Sequence, residues 1–258
     1  MQLLEMVGRG MARYLNQPSK HATRFVTCKP ELLASTLRKG DVLLVEGSSR
    51  FSTAIKYLSQ STWSHAALYI SDSSSAHESA VDDGELLEAD VLEGVRVISL
   101  SEYWNDHTRI CRPVGLTPKE IDAVVASAMS RIGHQYDLKN IIDLARYLIQ
   151  TPPVPNRWRR SMIALGSGDP TRAICSSLIA QAFQSVQYPI LPENVLKQSK
   201  NSACTDCYDE ILRIRHNSLF APRDFDISPY FQIIKPTLDD RFDPHKLNWT
   251  TDSDGTHS

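Results

Sequence analysis

The sequence predicts an α+β fold in which an antiparallel sheet packs against helices. Two observations point there: short, strand-sized apolar runs separated by turn residues between Val42 and Val114, and a change to helical periodicity from Thr117 onward. A third bounds the class. No run approaches the roughly 18 apolar residues that a membrane-spanning helix needs. At 258 residues, 41% of them hydrophobic, the chain is long enough for one substantial core.

Taken in order, Met1 to Tyr14 spaces Leu3, Leu4, Met6, Val7 and Met11 so as to suit one helix face, interrupted by Glu5, Arg9 and Arg13. That pattern reads as a short amphipathic helix packing on the domain rather than a secretory signal, with a reversible membrane-surface anchor as the alternative. Residues 1–36 are accordingly expected to form an N-terminal amphipathic helical extension. The turn signal Arg38-Lys39-Gly40-Asp41 runs into the buried-strand pattern Val42-Leu43-Leu44-Val45, where the folded core is expected to begin. Ser48 to Ser61 reads as a loop leading into a short helix, and Trp63 to Ile70 as a strand carrying His65 near its start.

The Ser-rich stretch from Ser71 to Asp83 marks a connection, followed by strands at Glu85–Ala89 and Gly94–Leu100 and another ending at Pro113. Thr117-Pro118-Lys119-Glu120 supplies an N-cap, a proline at the first helical position and an acidic third position, predicting a helix that Gly133 terminates. A second helix is expected over Asp137 to Gln150. Thr151-Pro152-Pro153 ends it, and a surface excursion follows through Arg160 and Gly166-Ser167-Gly168. Helical periodicity resumes at Ile174-Cys175-Ser176-Ser177, with turn and cap chemistry upstream in Asp169-Pro170-Thr171. Residues 236–258 lack core-forming residues and are expected to be a loosely ordered tail.

The formal net charge of −2 offers no global field to gather nucleic acid or an anionic membrane. Five cysteines, an odd number scattered along the chain, do not suggest a disulfide-stapled secreted protein. A reducing, cytoplasmic compartment is the expectation. Cys204-Thr205-Asp206-Cys207 has zinc-knuckle spacing but lacks a second pair, so no metal or cofactor is expected. Arg157, Trp158, Arg159 and Arg160 form a small basic and aromatic cluster that reads as a solvated loop, with contact to phosphate head groups as the functional alternative.

Chemistry enters with Cys175. A thiol reacts as its thiolate, and a free cysteine with a pKa of about 8.5 is mostly protonated at neutral pH. A helix N-terminus and a neighbouring imidazole both lower that value. Cys175 stands close to a helix start, and His65 on its strand could supply the imidazole. Alone, each residue reads more simply as a buried structural side chain.

Their joint context resembles a known family. Gly40-Asp41-Val42-Leu43-Leu44, Trp63-Ser64-His65-Ala66-Ala67-Leu68-Tyr69-Ile70, Leu86-Leu87-Glu88-Ala89 and Ile174-Cys175-Ser176-Ser177-Leu178-Ile179 are similar, in this order, to the permuted papain-like hydrolases of the YiiX and YebB type. These are relatives of the lecithin:retinol acyltransferases and NlpC-type cell-wall peptidases, in which histidine precedes cysteine along the chain. Gly133-His134-Gln135-Tyr136-Asp137 and the segment from Ala221 to Phe231 extend the likeness.

The resemblance implies a permuted papain-like catalytic domain over residues 37–235, a small half-barrel sheet against helices with the nucleophile at a helix N-terminus. It implies Cys175 as nucleophile, His65 as base and Glu88 as the carboxylate that orients the imidazole, with Glu85, Asp90 and His77 as competitors for the third role. The backbone N–H of Cys175 is expected to serve as one oxyanion donor. Tyr136, Ser48 and Ser64 are the substrate-binding candidates. The expected activity is that of a thiol hydrolase or acyltransferase, acting on a peptide, isopeptide, cell-wall peptide or lipid acyl group through a thioester. Peripheral membrane contact is a candidate, nucleic acid is not, and the oligomeric state is left open. The competing reading is a non-catalytic binding or effector-like module that keeps the cleft.

Overall fold

The computed structural model describes residues 28–72, 84–90, 93–134, 174–198, 208–213 and 220–239, together with Gln17, Val26, Asp243 and His245. The elements in chain order are α1 (Pro30–Thr36), β1 (Val42–Glu46), α2 (Arg50–Ser59), β2 (His65–Tyr69), β3 (Glu85–Asp90), β4 (Gly94–Ser99), a 3₁₀ turn (Leu100–Tyr103), β5 (His107–Pro113), α3 (Pro118–Met129), α4 (Ile174–Ser185), β6 (Glu193–Gln198), β7 (Tyr208–Arg213), α5 (Pro222–Asp226), β8 (Phe231–Ile234) and α6 (Pro236–Asp239).

Val42 to Val45 are all but fully buried, because β1 lies in the middle of a six-stranded sheet covered on both faces. The sheet runs β4-β3-β2-β1-β5-β8, and every neighbouring pair is antiparallel. Strand alternation sorts its side chains into two layers. Val42, Leu44, Ala66, Leu68 and Leu87 join Val124, Val125 and Ala128 of α3 and Leu178, Ile179 and Phe183 of α4 in one core cluster. Leu43, Val45, Ala67, Tyr69 and Leu86 join Leu33, Leu37 and Leu100 in the other. The result is a mixed α+β architecture of open antiparallel sheet on helices, as the alternation of strand-sized runs predicts. A separate hairpin, β6–β7, pairs Glu193 with Arg213 through Gln198 with Tyr208.

Asp41 ties three elements together. Its carboxylate accepts from Arg112 Nε at 2.9 Å and Nη2 at 2.7 Å, and the same Nη2 donates to the Thr36 carbonyl at 2.7 Å. The side chain is 1% exposed, and burial raises its pKa although Arg112 pulls the other way. The Gly40-Asp41 signature therefore holds α1, β1 and β5 in place.

The capping box at Thr117 forms as read: Thr117 Oγ1 accepts from Glu120 N, and the Glu120 carboxylate accepts from Thr117 N. The helix stops at Met129, earlier than Gly133 suggests. The reason is tertiary: Gly133 (φ +84°) donates to the Val95 carbonyl at 2.9 Å, while Val95 N donates to the His134 carbonyl at 3.1 Å. The chain leaves the helix to cover the β4 edge, and glycine admits the positive φ. The helix expected over Asp137–Gln150, Met1–Tyr14, His77, Tyr136, Arg157–Arg160, Cys204 and Cys207 all lie outside the described residues.

Candidate active site

Between β1 and α2 the chain turns through Gly47-Ser48-Ser49. Ser49 caps α2, its Oγ accepting from Ser52 N at 3.0 Å. Gly47 N donates to Ser64 Oγ at 2.9 Å. A Cβ built on Gly47 would stand 2.2 Å from Ser52 Oγ, so only glycine fits between α2 and the strand that follows. Ser64 itself is buried, and its hydroxyl fastens the β1–α2 loop beside His65.

The segment before His65 is anchored from the other side. Trp63 Nε1 donates to Asp226 Oδ2 at 3.0 Å, Arg109 Nη1 reaches Asp226 Oδ1 at 2.6 Å, and the Arg109 guanidinium lies 4.9 Å over the Trp63 ring. Two distant sequence motifs, Trp63-Ser64-His65 and Ala221 to Asp226, thus meet in one anchor.

β2 and β3 pair at Leu68 with Leu87 and Tyr69 with Leu86, and the ladder goes no further toward His65. β3 nevertheless continues to Asp90, paired with β4 throughout. Because Ile70 N donates to the Glu85 carbonyl, the even-numbered amides of β2 point toward β3, and that of Ala66 lies where this ladder has ended. The sulfur of Cys175, second residue of α4, accepts this N–H. Continued along the strands, the same register sets Asp90 opposite His65 and Glu88 one diagonal step away on the same face. Glu85 falls on the other face, and Asp90 Oδ1 accepts from Glu93 N at 2.9 Å.

The three residues singled out in the sequence come together. His65 Nε2 and Glu88 Oε2 are 2.7 Å apart, with the His65 side chain 22% exposed and Glu88 only 2%. The imidazole is also hydrogen-bonded to the Cys175 sulfur. Since Nε2 is committed to Glu88, Nδ1 is the ring nitrogen left for the thiol.

Burial disfavours charge on all three residues, yet their mutual attraction prevails. Desolvation would push the Cys175 thiol up, but the charge and hydrogen bond of His65, the Ala66 N–H and the Ser176 hydroxyl bring it below its ordinary value. Desolvation would lower His65, but Cys175 and then Glu88 raise it well above the ordinary imidazole value. Burial would likewise raise Glu88, but His65, Tyr103 and Arg96 bring it down to about 2. The arrangement favours a thiolate beside an imidazolium.

These side chains line a cleft of about 210 Å³ whose wall includes Ser48, Phe51, Ile55, Tyr103 and Arg96. Ser48 and Ser64 are both in it; Tyr136 is outside the described residues. Sequence reasoning did not single out Tyr103 or Arg96. The Tyr103 hydroxyl donates to Glu88 Oε2, while Arg96 donates from Nε at 2.9 Å and reaches with Nη2 at 2.8 Å to Glu88 Oε1. Arg96 is the cross-strand partner of Glu88, a signal that emerges once the β3–β4 register is known. Among the described residues, no group of three or more His, Cys, Asp or Glu side chains is placed to hold a metal ion.

The chain is 22% identical over 176 residues to the "Probable lipoprotein peptidase YaeF" of Escherichia coli K12, an alignment covering 62% of this chain and 60% of that protein. The chain thus spans less than two thirds of that relative's length. Among solved structures, that of the metalloprotein yiiX from Escherichia coli O157:H7 superposes with a TM-score of 0.45 at 13% identity, covering 76% of this chain and 96% of the other. Residues 36–147 match the model of the YaeF/YiiX family of permuted papain-like amidases, the C92 peptidases.

Proposed function

We propose that the protein is a thiol amidase in which Cys175 is the nucleophile, His65 the proton carrier and Glu88 the carboxylate that orients the imidazole. One observation carries this reading: a hydrogen-bonded line from the Cys175 sulfur through the His65 ring to Glu88, set in the wall of a cleft. The thiolate attacks the carbonyl carbon of an amide, and the carbonyl oxygen becomes an oxyanion. The imidazolium gives its proton to the leaving nitrogen, the C–N bond breaks and a thioester remains. His65 then takes a proton from water, whose oxygen attacks the thioester. The C–S bond breaks, the acid leaves, and the proton held by the ring restores the starting pair.

The backbone N–H of Cys175 at the start of α4 is the proposed oxyanion donor, the Ala66 N–H being committed to the sulfur. Ser48, in the loop held by Ser64, is the proposed substrate contact. A peptide or isopeptide amide is preferred over an acyl ester because the family matched at residues 36–147 is one of amidases. Transfer to an acceptor other than water would use the same thioester.

The test is turnover of a panel of peptidyl anilides and p-nitrophenyl esters by wild type and by Cys175→Ala. The expected outcome is anilide hydrolysis that Cys175→Ala abolishes, by at least about a thousandfold. Turnover that survives in Cys175→Ala would mean another residue is the nucleophile.

A further inference from the structure

Glu88 accepts from more groups than orienting a histidine requires. Its Oε2 receives both His65 Nε2 and the Tyr103 hydroxyl, and its Oε1 receives Nε and Nη2 of Arg96. The partners come from different elements: His65 from β2, Arg96 from β4 and Tyr103 from the 3₁₀ turn. That turn is fixed by the fully buried Leu100, whose N–H donates to the Gly84 carbonyl at 3.0 Å, and by Ser99, whose Oγ accepts from Ser101 N at 3.2 Å. The Tyr103 ring lies 5.9 Å from the His65 ring, centre to centre, and borders the same cleft as Cys175.

We infer that Tyr103 is a positioning residue of the proposed active site, one that shares the Glu88 oxygen with His65 and so limits how tightly the carboxylate holds the imidazolium proton. This rests on the reading of Cys175, His65 and Glu88 given above. A phenol hydrogen bond draws electron density from the oxygen that the imidazolium also contacts, making it a weaker acceptor. A general base must give its proton back to the leaving nitrogen, and an imidazolium gripped by an unshared buried carboxylate is a poorer acid for that step. Tyr103 supplies the counterweight without adding a charge, since burial first and then the Glu88 charge hold its phenol well above the ordinary range, in the protonated form.

Other charges also face this carboxylate. Arg96 lies across the strand pair and is itself paired to Glu93 at 2.5 Å. Cys175 approaches from α4, and Asp90 and Asp106 stand in the same cleft wall. None of these shares Oε2, so the effect of Tyr103 can be read apart from theirs.

The experiment is an NMR titration of the His65 imidazole in full-length Cys175→Ala, which removes the thiolate, compared with the same chain carrying Tyr103→Phe. The expected result is a His65 proton affinity about tenfold higher in Tyr103→Phe. Replacing Tyr103 by 3,5-difluorotyrosine, which keeps the ring and donates more strongly, should lower it and serves as well if Tyr103→Phe fails to fold. A His65 affinity unchanged or reduced on Tyr103→Phe, or unmoved by fluorination, overturns the inference. The titration does not need a reactive thiol, so failure of the amidase reading would appear separately, as loss of the Cys175 dependence of turnover.

Discussion

Glu88 is a carboxylate with 2% of its side chain exposed, and it stays ionised because four donors meet its two oxygens. Glu88→Gln keeps the size and removes the charge. The His65 imidazolium then loses its counter-ion, and the thiolate loses the cation that stabilises it. Alkylation of Cys175 by iodoacetamide at pH 6 should fall about tenfold in Glu88→Gln, as followed by mass spectrometry of the labelled peptide; an unchanged rate would detach Glu88 from the site. At this scale the resemblance pointed to Cys175, His65 and Glu88, and the structure sets the three side chains in one cleft. The sequence was not legible at Tyr103 and Arg96, whose parts depend on strand register and on where a short turn falls. Ser64, named as a candidate for substrate contact, borders the cleft and accepts the Gly47 N–H with its hydroxyl.

Among the elements, the parting of β2 from β3 makes room for the sulfur. Two residues of ladder hold the strands together, and the next amide, Ala66, is given to Cys175. On the facing side of the cleft, the β1–α2 loop is set by one close approach. Ser52 Oγ, 2.2 Å from a Cβ placed on Gly47, also hydrogen-bonds Ser49 Oγ at 2.9 Å and cannot yield freely. Gly47→Ala should therefore cost about 1–3 kcal/mol in denaturant unfolding, whereas a loss below the scatter of the measurement would show that the loop gives way.

Strands β1 to β5 and α3 were readable because alternation and a capping box are local signals. Helix α1 was not, since Pro30-Glu31-Leu32-Leu33 is too short to show periodicity and is held by burial of Leu33 and Leu37 and by the Arg112 contact to Thr36. The end of α3 was misjudged for a related reason: the pull of Val95 on Gly133 and His134 is tertiary.

Across the whole molecule, the fold brings residues 65, 88 and 175 to one cleft from a strand, its neighbour and a helix far along the chain. Long-range placement of this kind is invisible to periodicity; only the order of motifs along the chain hinted at it. The central claim is that this assembly keeps Cys175 as a thiolate, and the buried Cys111 offers an internal control because burial first, then Asp226, pushes its thiol far up.

The most direct measurement is the rate of iodoacetamide alkylation at each cysteine from pH 5 to 10, resolved by peptide mass spectrometry. Since the Cys175 value is lowered, its thiolate persists as the pH falls below the ordinary thiol range. The account predicts rapid labelling of Cys175 already at about pH 7, where an ordinary thiol is only a few per cent ionised, with Cys111 unlabelled throughout. Labelling of Cys175 that rises only above about pH 8.5, in step with an ordinary thiol, would contradict it.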